Sequence, residues 1–143
     1  MNHEVLEVTL DDEGEAGLFG PVIYAYTRKQ ALADGQQVQA PEALAKEAGF
    51  NWPVFITCTV FAEAVEIPPG VQGQDLQGRL WDLLWMAALE ARRPGPQTGP
   101  RCFTLLVRND NRRPRPHSYY IEAGPADLDD PAPAITIMAQ EDL

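Results

Sequence analysis

The sequence predicts an α+β fold: a small antiparallel sheet of about four strands covered by helices. Three observations carry this. Residues 73–93 form one helical pattern that is apolar around most of its circumference. Residues 19–66 carry helix caps and three-to-four spacing, whereas residues 101–139 carry strand alternation. Helices therefore come first and strands last, with no internal repeat, which is the segregated order of an α+β domain.

Taken in order, residues 4–10 alternate, with Leu6, Val8 and Leu10 on one side, and read as a short strand followed by an acidic loop. Val22, Ile23 and Tyr24 form a brief extended segment. Thr27 with Gln30 forms a capping box that opens a short helix, and Gly35 ends it in a left-handed turn. Pro41 opens a second helix at its first turn and Gly49 closes it. Residues 53–66 carry two signals. Val54, Ile56 and Thr57 are β-branched, but Val54, Thr57, Cys58, Phe61, Ala62 and Val65 recur at three and four, so a helix is expected. Pro68, Pro69 and Gly70 then break the chain.

The helix near residues 76–92 is expected to be the central, buried one. At 100° per residue Asp75, Arg79, Asp82, Met86, Glu90 and Arg93 share one narrow polar face. Leu80, Leu83, Leu84, Trp81 and Trp85 fill the rest, so both tryptophans are expected to be largely buried. The alternating charges read as ion pairs along a solvated face, with Arg79 bridging Asp82 or a helix end. Residues 94–100 are a loop. Phe103, Leu105 and Val107 alternate in a strand that pairs with residues 119–123, and Ile135 and Ile137 mark a last strand. Residues 127–133 read as an acidic turn. The chain thus divides into an N-terminal strand and acidic loop (1–18), a mainly helical part (19–93) and a strand meander (101–143), all within one domain.

Scarcity excludes much chemistry. Ser118 is the only serine, and His3 and His117 are the only histidines. A serine triad would need His117 to face its own neighbour. Cys58 and Cys102 sit in apolar surroundings and read as inert core thiols, reduced in a cytoplasmic protein. Zinc-ligand spacing and Walker or Rossmann glycine patterns are missing, so no metal, no cofactor and no catalytic residue is assigned. No apolar run reaches membrane-spanning length.

The net charge of −10 disfavours nucleic acid and suits a protein partner with a basic surface; a homo-oligomer is left open. The candidate contact residues are the arginine-rich hairpin tip, Arg108, Arg112, Arg113 and Arg115, with Tyr119 and Tyr120, and the acidic Asp127, Asp129 and Asp130.

Two stretches resemble an uncharacterised family of small proteins encoded on bacterial plasmids, phages and other mobile elements. One runs through Tyr26, Thr27, Arg28, Asp34 and Gly35. The other contains Gly73, Asp75, Arg79, Trp81, Asp82 and Trp85. Cys58 departs from the family pattern, in which an arginine follows the threonine. The resemblance implies an accessory gene, in a setting where inhibitors of host defence are common. It implies structural roles for these motif residues and no activity. The leading expectation is a non-enzymatic protein that binds a host protein, such as a nuclease or CRISPR-type effector. One alternative is an enzyme using Asp75, Arg79, Asp82, Arg28 and Tyr26 in a cleft between the two helical segments. The other is a nucleic-acid binder using the hairpin arginines.

Overall fold

The structure is a computed structural model that describes residues 26–143. The strand expected over residues 4–10, the acidic loop after it and the extended segment at 22–24 lie outside the described residues.

The fold is α+β. Among the described residues its sheet has five strands, where about four were expected, in the order β1-β2-β5-β4-β3. The strands are β1 (Gln37–Gln39), β2 (Val54–Thr57), β3 (Arg101–Val107), β4 (Arg115–Asp127) and β5 (Asp130–Met138). The sheet is mixed rather than antiparallel, because β2 runs parallel to β5 while every other pairing is antiparallel. The crossover that a parallel pair requires is supplied by everything from residue 58 to residue 129.

The helices are α1 (Arg28–Ala33), α2 (Glu42–Ala48), α3 (Cys58–Val60), which passes into a π-helical turn at Phe61–Val65, and α4 (Leu76–Arg92). Strand alternation sends Val54, Ile56, Phe103, Leu105, Tyr119, Ile121, Ile135 and Ile137 to one face of the sheet. There they meet Leu80, Leu83, Leu84, Ala87 and Ala88 of α4 in the core. The helix expected near residues 76–92 is in place, and its two small alanines allow it to lie close on the sheet. Gly49 ends α2 at φ 117°, where a side chain would collide with the Arg92 guanidinium.

The expected helix over 53–66 is corrected to a strand followed by a helical turn. Both sequence signals were real but consecutive. Val54 to Thr57 are all buried as β2, and the Thr57 side chain then accepts from the Val60 N–H to start α3. The spacing of Cys58, Phe61 and Val65 belongs to the second part. Strand β1, with its polar Gln-Val-Gln sequence, gave no alternation to read. The acidic turn expected at 127–133 shrinks to Leu128 and Asp129, since β4 and β5 extend through the flanking residues.

Helix α1 lies on the other face of the sheet. The Arg28 guanidinium stacks 4.1 Å over the Phe55 ring and donates to Ala126 O, Gln37 Oε1 and Thr136 Oγ1. Burial lowers the pKa of Arg28 from its ordinary value, and the nearby Asp127 charge partly offsets this. The Thr27–Gln30 capping box is present. Asp127 adds a second cap from across the chain, accepting from the Arg28 and Lys29 N–H groups at 3.0 Å each.

Desolvation pushes the Asp127 carboxyl upward, but the Leu128, Arg28 and Lys29 N–H groups and the Arg28 charge together hold it below its ordinary 3.8. A depressed carboxylate contributes stability that is full at neutral pH and is lost as pH falls through the folded value, below 3.8. Asp127→Ala is therefore expected to cost about 1 kcal/mol at pH 7. The difference from wild type should shrink in acid, which urea titrations at several pH values would measure.

Candidate functional site

At the N-terminus of α4 the chain builds a polar knot and, beside it, a cleft. Asp75 caps α4, its Oδ1 accepting from the Gly78 N–H at 2.8 Å. Four residues on, Arg79 is turned inward and only 6% exposed. Its Nε donates to Ala64 O. Nη1 donates to Arg108 O and Gln74 Oε1, and Nη2 to Glu63 O and Asn109 Oδ1. All five guanidinium N–H groups are thus used, two of them on carbonyls that the π turn leaves without a helical partner.

The expected ladder of ion pairs along α4 forms only at its C-terminal end, between Glu90 and Arg93. Arg79 does not meet Asp82; it fastens the π turn to the segment after β3. Glu90 holds Arg93 and Arg101, each at 3.2 Å, and so ties α4 to β3.

Asp82 is left over. It has no hydrogen bond or ion pair among the described residues, and desolvation raises its carboxyl above the ordinary value. It stands beside Trp81 and Trp85, whose rings stack with centroids 5.7 Å apart. The expectation that both tryptophans are largely buried is corrected: Trp81 is half-buried and Trp85 is 40% exposed. Leu80, Leu83, Leu84, Ala87 and Ala88 already fill the inner face, so positions 81, 85 and 89 fall on the outer flank. Leu89 and Leu76 are also exposed. The Arg92 guanidinium lies 5.7 Å over the Trp85 ring. A cleft of about 620 Å³ opens along this end of the helix, lined by Gly73, Asp75, Trp81 and Asp82 with Arg79 at its base. An apolar groove of about 350 Å³, with Leu44, Leu76 and Leu80, separates α2 from α4 on the adjoining side.

The hairpin tip does not gather its predicted residues on one surface. Strand alternation sends Tyr119 into the core at 1% exposure and Tyr120 to the opposite face, where its hydroxyl donates to Gln140 Oε1 at 2.7 Å. Arg108 folds back, donating to Gln72 O and to Asp110 O, and Arg115 pairs with Asp110 at 3.3 Å. Arg112 and Arg113 remain exposed. Of the acidic residues, Asp127 is taken up capping α1, while Asp129 and Asp130 are exposed at the β4–β5 turn.

Arg28 apart, the motif residues of the first stretch act locally. The Tyr26 hydroxyl donates to Asp34 at 2.9 Å, and Gly35 takes φ 76° to end α1. The α1 cluster with Arg28 and the cluster with Asp75, Arg79 and Asp82 lie on opposite faces of the sheet.

Glu63 is a residue the sequence reading passed over. The Tyr119 hydroxyl donates to its Oε1 at 2.7 Å, and His117 Nδ1 stands 3.5 Å from the same oxygen. Burial, and then the hydrogen bond and charge of Glu63, raise the Tyr119 pKa far above its ordinary value, so the phenol keeps its proton. The signal was a lone acid inside an apolar run. Ser118 and Cys102 point to the other face of the sheet from His117, so neither offers it a nucleophile. Cys102 is exposed and Cys58 half-buried, not the core thiols expected. Among the described residues no group of three or more His, Cys, Asp or Glu side chains could hold a metal ion, and no helix is long and apolar enough to cross a membrane.

No family model, no curated protein and no solved structure matches this chain. The mobile-element resemblance therefore rests on its motif residues alone.

Proposed function

We propose that this chain is a non-enzymatic binding protein whose partner is a protein with a basic surface, docked on the outer flank of α4. One observation carries the reading: an unpaired, exposed Asp82 beside two stacked tryptophans, one of them 40% exposed, on the helix that organises the core. Tryptophan is enriched among residues that dominate binding energy, and a rigid helix presents it without an ordering cost. A carboxylate left without a partner at such a place is a complement for a cation. The net charge of −10 attracts basic surfaces to the chain as a whole. The motif resemblance extends the reading to a counter-defence inhibitor that masks a basic host effector, such as a nuclease or CRISPR-type complex.

The enzyme alternative has less support. Arg28 and Tyr26 belong to the opposite face of the sheet, and Arg79 has spent every donor on the fold.

The test is affinity capture from a bacterial lysate at rising salt, followed by mass spectrometry and titration of the purified partner. An electrostatically guided contact weakens steeply between about 0.05 and 0.5 M salt. A partner whose affinity is unchanged over that range would remove the basic-surface reading.

A further inference from the structure

The cleft at the start of α4 brings two carboxylates and an indole ring together. Asp82 offers a carboxylate with both oxygens unengaged among the described residues. Asp75 has given Oδ1 to its helix cap, which leaves Oδ2. Trp81 supplies an aromatic wall, braced by its stack on Trp85. Arg79 closes the base with its five N–H groups already bonded to the fold, and its positive charge is set against the carboxylates of Asp75 and Asp82. The unengaged side-chain groups of the lining are therefore carboxylate oxygens and a π face.

A planar cation fits both. A guanidinium stacks on tryptophan and presents paired N–H groups to a carboxylate, whereas an ammonium offers a compact charge without the flat face. The volume of about 620 Å³ leaves room for the side chain and its backbone.

We infer that this cleft is an arginine-binding pocket, which takes an arginine side chain of the partner with its guanidinium on Asp82 and its flat face against Trp81. This rests on the protein-binding reading and names the group that anchors it. It also assigns work within the flank: Asp82 and Trp81 choose the arginine, and Trp85 and Leu89 supply the apolar contact around it.

The experiment uses the full chain and a blocked Gly-Arg-Gly tripeptide, followed by tryptophan fluorescence. Peptides with citrulline or lysine in place of arginine serve as comparisons. Citrulline keeps the planar shape and removes the charge; lysine keeps the charge and removes the plane. The arginine peptide is expected to saturate with a Kd of about 1 mM, the range of a single anchored side chain. Lysine should bind at least fivefold more weakly and citrulline at least tenfold. Asp82→Asn should weaken the arginine peptide about tenfold at an unchanged melting temperature, since Asp82 is exposed and bonded to nothing among the described residues.

Equal binding of arginine and citrulline peptides, no saturation up to about 20 mM, or an Asp82→Asn protein that binds like wild type would each overturn the inference. If the peptide fails while the captured partner still binds in a salt-sensitive manner, the pocket falls and the protein-binding reading stands. If neither binds, both fall.

Discussion

Arg79→Ala is expected to lower the free energy of unfolding by about 3–5 kcal/mol. The side chain is 6% exposed and satisfies the carbonyls of Glu63, Ala64 and Arg108 together with Asn109 Oδ1. Truncation leaves these acceptors in a site where water replaces the guanidinium imperfectly. It also unfastens the π turn from the segment that follows β3. Arg79→Lys tests the geometry. Its ammonium keeps the charge but lacks the fixed fork, so about half of the loss is expected to remain. Urea unfolding at constant m-value measures both. A loss below about 1 kcal/mol for the alanine variant would mean that the guanidinium is held open for a ligand rather than spent on the fold.

Leu84→Ala is expected to cost about 2–5 kcal/mol and to lower the melting temperature by roughly 10 °C. Leu84 has no exposed surface and lies at the centre of the contact between α4 and the sheet. The surrounding β-branched and aromatic side chains cannot collapse into the space without moving strands. Leu89→Ala is the matched control, because Leu89 is 38% exposed on the outer flank. It is expected to cost about 1 kcal/mol or less. Equal losses at the two positions would mean that the outer flank is as deeply packed as the inner one.

Much of the helical half was legible because its determinants are local. Thr27, Gln30 and Gly35 bound α1, Gly49 bounds α2, and Asp75 and the residues around Pro94 bound α4, each through backbone groups within a few residues. The parallel pairing of β2 with β5 was not legible, since residues 54–56 meet residues 135–137 across most of the chain. Nor was β1, whose two glutamines show no apolar alternation.

The rotation of α4 escaped for a different reason. A helical wheel placed Arg79 with the charged residues on a solvated stripe. It could not know that the π turn would leave carbonyls that need an arginine. Once Arg79 turns inward, the solvated stripe moves toward Trp85 and Leu89, and Asp82 loses the partner assigned to it. The candidate site was therefore visible as residues but not as a surface. Asp75, Trp81, Asp82 and Trp85 all stand out in the sequence, but as motif residues with structural roles, and the contact signal in the sequence lies in the hairpin tip and the acidic turn. There, strand alternation separates Tyr119 from Tyr120, and Arg108 and Arg115 are taken up by the loop itself.

The most direct test of the account is the dissociation constant of the purified partner for Trp85→Ala relative to wild type, with melting temperature measured on the same samples. A tryptophan at the centre of a docking face contributes about 2 kcal/mol or more, so binding is expected to weaken at least thirtyfold while stability changes by about 1 kcal/mol or less. An affinity within twofold of wild type, in a protein that remains folded, would contradict the claim that this flank of α4 is where the partner binds.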